Sequence, residues 1–429
     1  LLPVAAKWLL VGRWRATEFP VWSMSYFRFW LVRTVLRTSP MRLLAGSPLY
    51  VLYLRALGAR IGRGATVFTT EVPVCTDLLS VGAGTVVRKD ASLSCYRALG
   101  GMIQTGAVTV GEGAVISEAT VLDIGARVGD RAQLGHASAL YAGQVIPDRQ
   151  SWHGSPAQPC AVDYSGAPPA PCGTGRRFFY GVWNLLFTVL LVIPFGTSVF
   201  AGLVPLVVAA AGVDTGNAAY YLRLAGIAAT VLGALIVVLL LGITLIPRAL
   251  NLLLRPGRVY PLYGFHYGLH RTIGRLTNLK FLIQLTGDSS LIPHYLRLIA
   301  YRMPELVQTG SNFGMEVKHE SPFACTVGSG TMVADGLSVM SAQFSSSSFQ
   351  ITPVSIGRRS FLGNGILYPP DARTGENCLI ATKAMVTLDG AVREDVGLLG
   401  SPSFEIPRSV QSDAAFDELK RGPAFKSAL

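Results

Sequence analysis

Aliphatic residues recur at every sixth position over much of the first third of the chain. A small residue usually follows each of them, and the recurring positions are Val110, Ile116, Leu122, Val128, Leu134 and Leu140, with earlier members at Ile61, Val81, Val87 and Leu93. A period of six fits neither the 3.6-residue turn of a helix nor the two-residue alternation of a strand. It is typical of a left-handed parallel β-helix, in which three hexapeptides form one triangular coil.

A second region shows the same period, at Val327, Val333, Val339, Ile356, Leu362, Thr374, Ile380 and Val386. The two regions also match each other without a gap, since Gly82 and Gly328, and likewise Gly154 and Gly400, are 246 positions apart. The duplication predicts two left-handed β-helix domains of the kind found in hexapeptide-repeat acyltransferases, at 59–160 and 305–410.

Two long uncharged stretches lie between these regions. The first runs from 178 to 213 and contains Pro194 and Pro205, and the second runs from 224 to 247. A membrane-spanning helix needs about 20 apolar residues, so region 178–247 is predicted to be a transmembrane helical hairpin, with spans at about 178–211 and 224–247. Arginines flank the hairpin on both sides, which places both flanking regions in the cytoplasm by the positive-inside rule.

Aromatic and arginine-rich segments precede each repeat region. Trp22 to Leu44 is an example, and its interleaved apolar and basic residues predict helices that lie in the bilayer interface and contact membrane lipids. We assign such interfacial helices to 1–58 and 248–304, and the first residues of 1–58 are expected to be the tail of an upstream membrane span. A Pro, Gly and Ser-rich linker is predicted at 161–177, and a tail at 411–429.

Composition agrees with a membrane protein. Hydrophobic residues make up 50% of the chain and charged residues 14%, which excludes a purely soluble or disordered protein. The formal net charge of +12 suits an anionic membrane face, and no motif for nucleic-acid binding accompanies it, so a nucleic-acid partner is not predicted. The six cysteines lack metal-ligand spacing, and therefore no metal site is predicted.

Three long segments carry a specific resemblance. TGSNFGMEVKHESPF at Thr309 to Phe323, VGSGTMVADGLS at Val327 to Ser338 and GLLGSPSFEIPRSV at Gly397 to Val410 resemble the membrane-embedded C-terminal region of ε-poly-L-lysine synthetase-type nonribosomal peptide synthetases. That family has an adenylation domain, a carrier domain and six membrane helices that separate three tandem soluble condensation domains. The resemblance implies that this chain holds the first two soluble domains and the two membrane helices between them, in a bacterial cytoplasmic membrane.

The resemblance also implies a reaction. An acceptor amine would attack an aminoacyl thioester held on the 4'-phosphopantetheine arm of the carrier domain, forming an amide or isopeptide bond. The implied partners are the carrier and adenylation domains of the same synthetase, and no cofactor is expected within this region itself. Because the amine is protonated at neutral pH, the site needs a general base and donors for the oxyanion.

His319 and Glu320 are the first candidates for a base and its orienting partner, with Asn312 and Asp335 as polar, substrate-binding support. Adjacent residues of a strand point to opposite sides, so Glu320 orients His319 only if the segment is not extended. The alternative is that His319 has a structural role at the end of a loop.

His136 is the second candidate base. It stands two places after Leu134, where side chains of a coil usually point outward, and a solvated surface histidine is the equal alternative. The position 246 residues after His136 is Thr382, and the one before His319 by the same offset is Pro73. Neither histidine is therefore duplicated, and the two repeats are not expected to share one base.

A loop that breaks the six-residue period is a third place of interest. The resemblance implies a histidine in this loop of the final repeat, whereas Tyr96 and Ala342 stand at the matching positions here. Tyr96 is retained as a substrate-binding candidate, and the neighbouring Cys95 is interpreted as a buried apolar residue rather than a nucleophile. Asp77, Glu118 and Asp123 are candidates for binding a cationic substrate side chain, of which Asp77 is preferred.

Two other functions stay open. One is a membrane-bound O- or N-acyltransferase that uses acyl-CoA, and the other is a non-catalytic scaffold that docks the carrier domain and guides the polymer. Since left-handed β-helix acyltransferases are generally trimers, the repeats are also expected to pack with a third β-helix repeat as a pseudo-trimer, or to form a homo-oligomer.

Overall fold

The computed structural model of the chain describes residues 2–71, 73–192, 197, 201–205, 207–209, 216–303 and 313–406. The chain divides into two compact units. The first unit contains residues 1–277, 298–300 and 342–352, and the second contains residues 278–297, 301–341 and 353–429.

The described helices are mostly short, and several begin with a recognisable cap. The Ser23 side chain accepts a hydrogen bond from the Tyr26 N–H, and the Ser47 side chain does the same for Tyr50 before a proline at the first helical turn. The α-helices are Leu2–Leu10, Met24–Arg37, Pro48–Ala56, Thr174–Phe187, Ala218–Asn251, Phe265–Thr277, Lys280–Thr286 and Ile292–Leu298, and the short 3₁₀ helices are Pro40–Leu44, Thr76–Leu78 and Pro322–Ala324.

Besides these helices, the described part of the first unit contains twenty strands of two to four residues each. They are Glu18–Pro20, Arg60–Ile61, Thr66–Val67, Leu79–Val81, Val86–Val87, Ser92–Leu93, Tyr96–Leu99, Met102–Thr105, Val108–Val110, Val115–Ile116, Val121–Leu122, Arg127–Val128, Gln133–Leu134, Ala139–Leu140, Val145–Ile146, Ser151–His153, Gln158–Cys160, Val259–Pro261, Ala342–Phe344 and Ser348–Ile351.

Many of these strands pair in parallel with a partner 18 residues along the chain. Ile116 pairs with Leu134 and Leu122 pairs with Leu140, and all four side chains are fully buried. Tight turns separate the strands, and Gly125 has a positive φ of 75° where its backbone closely approaches that of Gly143. A side chain at Gly125 would be strained because that φ favours glycine.

Antiparallel hairpins interrupt the parallel strands at two places in the first unit. Met102–Thr105 lies between Tyr96–Leu99 and Glu18–Pro20 in one three-stranded sheet. Ser348–Ile351 lies between Ala342–Phe344 and Val259–Pro261 in another. Each hairpin therefore pairs with a short strand that precedes a helix, and not with the parallel strands beside it in sequence.

The second unit has a similar composition of short strands. They are Val317–His319, Cys325–Val327, Met332–Val333, Leu337–Val339, Val354–Ile356, Phe361–Leu362, Leu367–Tyr368, Leu379–Ile380, Gly397–Leu399 and Phe404–Ile406. Val333, Leu362 and Ile380 lie on neighbouring strands of one sheet and are fully buried, so they form part of the core of this unit.

The predicted fold class, two left-handed parallel β-helix domains joined by a transmembrane helical hairpin, is wrong. The described residues form a mixed α/β structure with eight separate sheets, in which helices and antiparallel hairpins stand between the many short parallel strands. A six-residue period specifies which side chains of a short strand are buried. It does not specify the handedness of the connections between strands, nor whether the strands form one continuous coil. The β-helix prediction required both of these properties, and the six-residue period alone does not supply them.

The helical hairpin is not present among the described residues. The Thr174–Phe187 helix is followed by a π-helical segment, Thr188–Val192, and much of the remaining predicted first span, at 193–196, 198–200, 206 and 210–211, lies outside the described residues. In the part of the chain that the structure describes, Ala218–Asn251 is the one helix long and apolar enough to cross a membrane. Only 6% of its most apolar 18-residue stretch is buried. The multi-pass prediction is therefore not supported, whereas one membrane-length helix is.

Candidate functional site

Each unit contains a buried polar cluster around one of the predicted histidines. In the second unit, Val317–His319 pairs in parallel with Leu337–Val339, so His319 is the last residue of a strand. The Asn278 side chain holds the backbone of that residue with two hydrogen bonds, donating to the His319 carbonyl at 2.8 Å and accepting from its N–H at 3.0 Å. These two hydrogen bonds fix the backbone of His319 at the end of its strand.

The His319 side chain is enclosed rather than exposed, with 3% of its surface accessible. The Tyr301 ring lies edge-on to the imidazole, with 5.3 Å between the ring centroids. Glu320 is also buried, and its N–H donates to the Val339 carbonyl just past the end of the strand. Both members of the predicted His–Glu pair therefore lie inside the protein.

A thiol and two hydroxyls complete the cluster in the second unit. Ser341 Oγ donates to the Ser321 carbonyl at 2.9 Å, and the Ser321 N–H donates to Ser341 Oγ at 3.0 Å. Cys325 Sγ donates to the same carbonyl at 3.2 Å. Burial raises the pKa of the Cys325 thiol to about 12, and burial also raises the pKa of Tyr301. Both groups are therefore protonated near neutral pH, and Cys325 is poorly suited to act as a thiolate nucleophile.

In the first unit, His136 lies beneath an aromatic residue from the predicted linker. Its side chain is 1% exposed, and its ring is 6.0 Å from that of Tyr164 in an edge-on arrangement. The Tyr164 hydroxyl is 2.6 Å from Nδ1 of His153, and burial raises the pKa of Tyr164 and lowers that of His153. The alternative of a solvated surface histidine at position 136 is wrong, because Tyr164 covers it.

Glu118 occupies the position equivalent to His136 on the neighbouring strand, since Ile116 pairs with Leu134 two residues earlier. Its carboxylate accepts a hydrogen bond from Arg88 Nε at 2.6 Å, and both side chains are at least 95% buried. The Arg88 guanidinium lies 3.9 Å from the ring centroid of Phe344 and 5.0 Å from that of Phe68. It also donates to the Ala342 carbonyl at 3.5 Å. Arg88 therefore links a parallel strand to the Ala342–Phe344 hairpin within the first unit.

The other predicted acidic residues also contact groups of this chain. Asp77 lies 2.7 Å from Nζ of the buried Lys7 and accepts the Trp14 N–H, so it holds the first helix to its unit. Asp123 accepts the Ile124 N–H and lies 3.8 Å from Arg97. Each of these carboxylates thus already faces a basic group, as Glu118 does.

The remaining candidates are dispersed. Asp335 Oδ1 accepts the N–H groups of Met315, Glu316 and Gly336, so it organises the loop that leads into the His319 strand. Tyr96 lies in a different unit, edge-on to Phe29 in the first unit. Asn312 lies outside the described residues.

Cys95 is fully buried, and burial raises the pKa of its thiol to about 12. This agrees with its interpretation as an apolar residue. Across the described parts of the chain, no group of three or more His, Cys, Asp or Glu side chains is arranged to hold a metal ion.

Sequence reasoning missed several residues of these clusters, among them Arg88, Tyr164, Asn278 and Tyr301, which contact the predicted residues directly. A signal existed for one relationship, since Glu118 and His136 are 18 residues apart, which is the offset between paired strands. No comparable signal was available for Asn278, which reaches His319 from a separate helix region 41 residues away.

Comparison with known proteins adds one relationship. The chain is 25% identical over 450 residues to delta-poly-L-ornithine synthetase of Acinetobacter baumannii (strain AB307-0294), and the similarity covers 100% of this chain. The chain spans 32% of the length of that relative. No protein-family model matches the chain. The chain is therefore distantly similar to a poly-amino-acid synthetase.

Proposed function

We propose that this chain is part of a larger poly-amino-acid synthetase and takes part in forming the amide bonds of the polymer. The observation that carries the proposal is the similarity to the poly-ornithine synthetase along the entire chain, although the chain spans only 32% of that relative. The proposal includes the carrier and adenylation domains of the same synthetase as partners, with the aminoacyl group delivered as substrate on the phosphopantetheine arm of the carrier domain.

In the proposed reaction the acceptor amine attacks the thioester carbonyl. A C–N bond forms, the C–S bond breaks, and the carrier thiol leaves with the proton that the amine loses. The acceptor is protonated at neutral pH, so a general base must first take one further proton from the ammonium group, which has no free electron pair; the proton that leaves with the thiol is a second one, lost from nitrogen as the C–S bond breaks. His319 is the proposed base, since Asn278 fixes its backbone and Tyr301 packs against its ring. Its enclosure means that the substrate approaches through a small opening or after a local movement.

The membrane setting is also part of the proposal. Ala218–Asn251 would cross a bacterial cytoplasmic membrane, and the arginines at and after its C-terminal end, Arg248, Arg255 and Arg258, would lie on the cytoplasmic side. A carrier domain could then deliver substrate from the cytoplasm.

The test uses the intact synthetase that contains this chain, purified in detergent. Amino-acid loading of the carrier domain and polymer formation are both followed by mass spectrometry. His319→Gln is expected to load normally but to form polymer at least about 100-fold more slowly, the lower range for loss of a general base. His294→Gln is the matched control, because His294 is an exposed histidine of the same unit. Normal polymer formation by His319→Gln would refute the assignment of His319 as the base.

A non-catalytic role is the second candidate function. The observation that favours it is the enclosure of both His136 and His319, at 1% and 3% exposure. Under this alternative the two units dock the carrier domain or guide the product while amide bonds form elsewhere in the synthetase. Polymer formation at the normal rate by both His136→Gln and His319→Gln would favour the scaffold.

A further inference from the structure

The first unit contains a basic cavity that none of the proposed catalytic steps uses. Its volume is about 360 Å³, and it lies between the C-terminal half of the Met24–Arg37 helix, the following 3₁₀ helix and the Ser92–Leu93 strand. The lining residues include Arg33, Arg37 and Arg42. Glu71 is the one acidic residue among the described residues that line it. The cavity therefore has an excess of positive charge.

The three arginines have no acidic partner among the described residues. Arg42 donates to the backbone carbonyls of Thr70 and Arg37, which fixes its guanidinium at the edge of the cavity. The Arg33 guanidinium lies 5.8 Å from the ring centroid of Tyr96, and its Nε is buried without a hydrogen-bond partner in the described part of the chain. Packing thus holds Arg33 in place, while its charge is not neutralised.

Hydroxyl groups complete the lining. Ser92 and Ser94 both line the cavity, and their hydroxyl oxygens are 3.1 Å apart. Guanidinium groups suit the binding of phosphate oxygens, because a guanidinium can make two parallel charge-assisted hydrogen bonds, and neighbouring hydroxyls can add further contacts. The volume is sufficient for a phosphate with a short polar substituent.

The helix that supplies two of the arginines also presents large apolar side chains to solvent. Met24, Phe27 and Trp30 of this helix are all exposed, and Trp22, which lies just before its first turn, is 92% exposed. Trp30 and Arg37 are seven positions apart and therefore lie on the same face of the helix. Aromatic side chains next to arginines are typical of helices in the headgroup layer of a bilayer, where the rings meet the acyl boundary and the guanidinium groups meet phosphates.

We propose that this cavity binds a phosphate group, and that its source is the headgroup of an anionic phospholipid. The arginines supply the charge, the serines supply neutral donors, and the exposed aromatic residues place the cavity at the depth of the headgroups. The site would anchor the first unit at the membrane surface independently of the Ala218–Asn251 helix and of any catalytic role.

The experiment measures thermal unfolding of the detergent-purified chain against added dioctanoyl phosphatidylglycerol, dioctanoylglycerol and inorganic phosphate. A ligand that binds the folded state raises the unfolding midpoint with its concentration, which yields an apparent Kd. Phosphatidylglycerol is expected to stabilise the wild type, and dioctanoylglycerol, which lacks the phosphate, is not. Stabilisation by inorganic phosphate at equal concentration would retain the phosphate site but overturn the lipid as its source.

Three variants locate the binding. Arg37→Gln, which removes an exposed charge, and the double variant Arg33→Gln/Arg37→Gln are each expected to weaken binding, the double variant by at least about tenfold. Arg28→Gln is the matched control, because Arg28 is an exposed arginine of the same helix that does not line the cavity. The proposal is overturned if neither phosphate probe stabilises the wild type, or if Arg28→Gln weakens binding as much as Arg37→Gln does.

Discussion

Removing the Glu118 carboxylate tests how the first unit holds its Ala342–Phe344 strand. The Glu118–Arg88 pair is short, at 2.6 Å, and its side chains are only 5% and 4% exposed. Glu118→Ala would leave the Arg88 guanidinium buried between the rings of Phe68 and Phe344 without its carboxylate. Water cannot readily replace that partner, since the two rings and the neighbouring strands enclose the charge.

The magnitude follows from this enclosure. Breaking a buried ion pair by removing one partner costs about 3–5 kcal/mol. With a shift of roughly 2–4 °C in the unfolding midpoint per kcal/mol for a domain of this size, Glu118→Ala should lower the midpoint by about 6 °C or more. Replacing both partners by apolar residues, as in Arg88→Met/Glu118→Leu, should restore most of the stability because both buried charges are removed together.

The assay is thermal unfolding combined with hydrogen exchange, which localises the change. Exchange is expected to increase in the Ala342–Phe344 strand of Glu118→Ala. Glu376→Gln is the control, because Glu376 forms exposed pairs with Arg358 and Arg359 that are worth less than about 1 kcal/mol. The reasoning would be refuted if Glu118→Ala were no less stable than this control, or if the apolar double variant were as unstable as Glu118→Ala.

Two further predictions concern the second unit. Burial raises the pKa of the Cys325 thiol from its ordinary value of 9.0 to about 12, so folding favours the protonated thiol. The stability that comes from this preference is fully present below pH 9 and is lost as the pH rises toward 12, by about 1.4 kcal/mol per pH unit. Urea unfolding at pH 8 and pH 10 measures the free energy of unfolding of wild type and Cys325→Ala. The wild type should lose more of this free energy between the two pH values than Cys325→Ala does, and equal losses would contradict the assignment. Asp335→Ala removes the acceptor of the Met315 and Glu316 N–H groups. It should destabilise the unit by about 1–3 kcal/mol and speed hydrogen exchange at both amides, whereas unchanged exchange there would show that Asp335 does not organise the loop.

The periodic pattern was informative about local burial. Ile116, Leu122, Leu134 and Leu140 are four of the aliphatic positions that recur with the six-residue period, and all four are fully buried. Burial of this kind follows from the sequence because the hydrophobic effect favours removing the recurring aliphatic side chains from water. The same pattern was insufficient for the fold class, since sheets, hairpins and helices are arranged by contacts that a six-residue window does not contain.

The candidate histidines illustrate the same limit. Sequence position identified His136 and His319, but their enclosure depends on Tyr164 and Tyr301, which come from segments with no periodic relation to either strand. The Arg88–Glu118 pair likewise joins residues 30 positions apart. Each of these contacts is long-range, and its partners are ordinary polar or aromatic residues in the sequence.

The chain by itself therefore determined many of the apolar positions that short strands bury, where a membrane-length helix lies and that the chain resembles a poly-amino-acid synthetase. The tertiary structure alone decided which charges are paired, which histidines are covered and where three arginines have no acidic partner within the described ranges of the chain. The physical reason is that hydrophobic burial is a local property of a pattern, whereas the pairing of buried polar groups depends on distances between segments that are set only when the chain has folded.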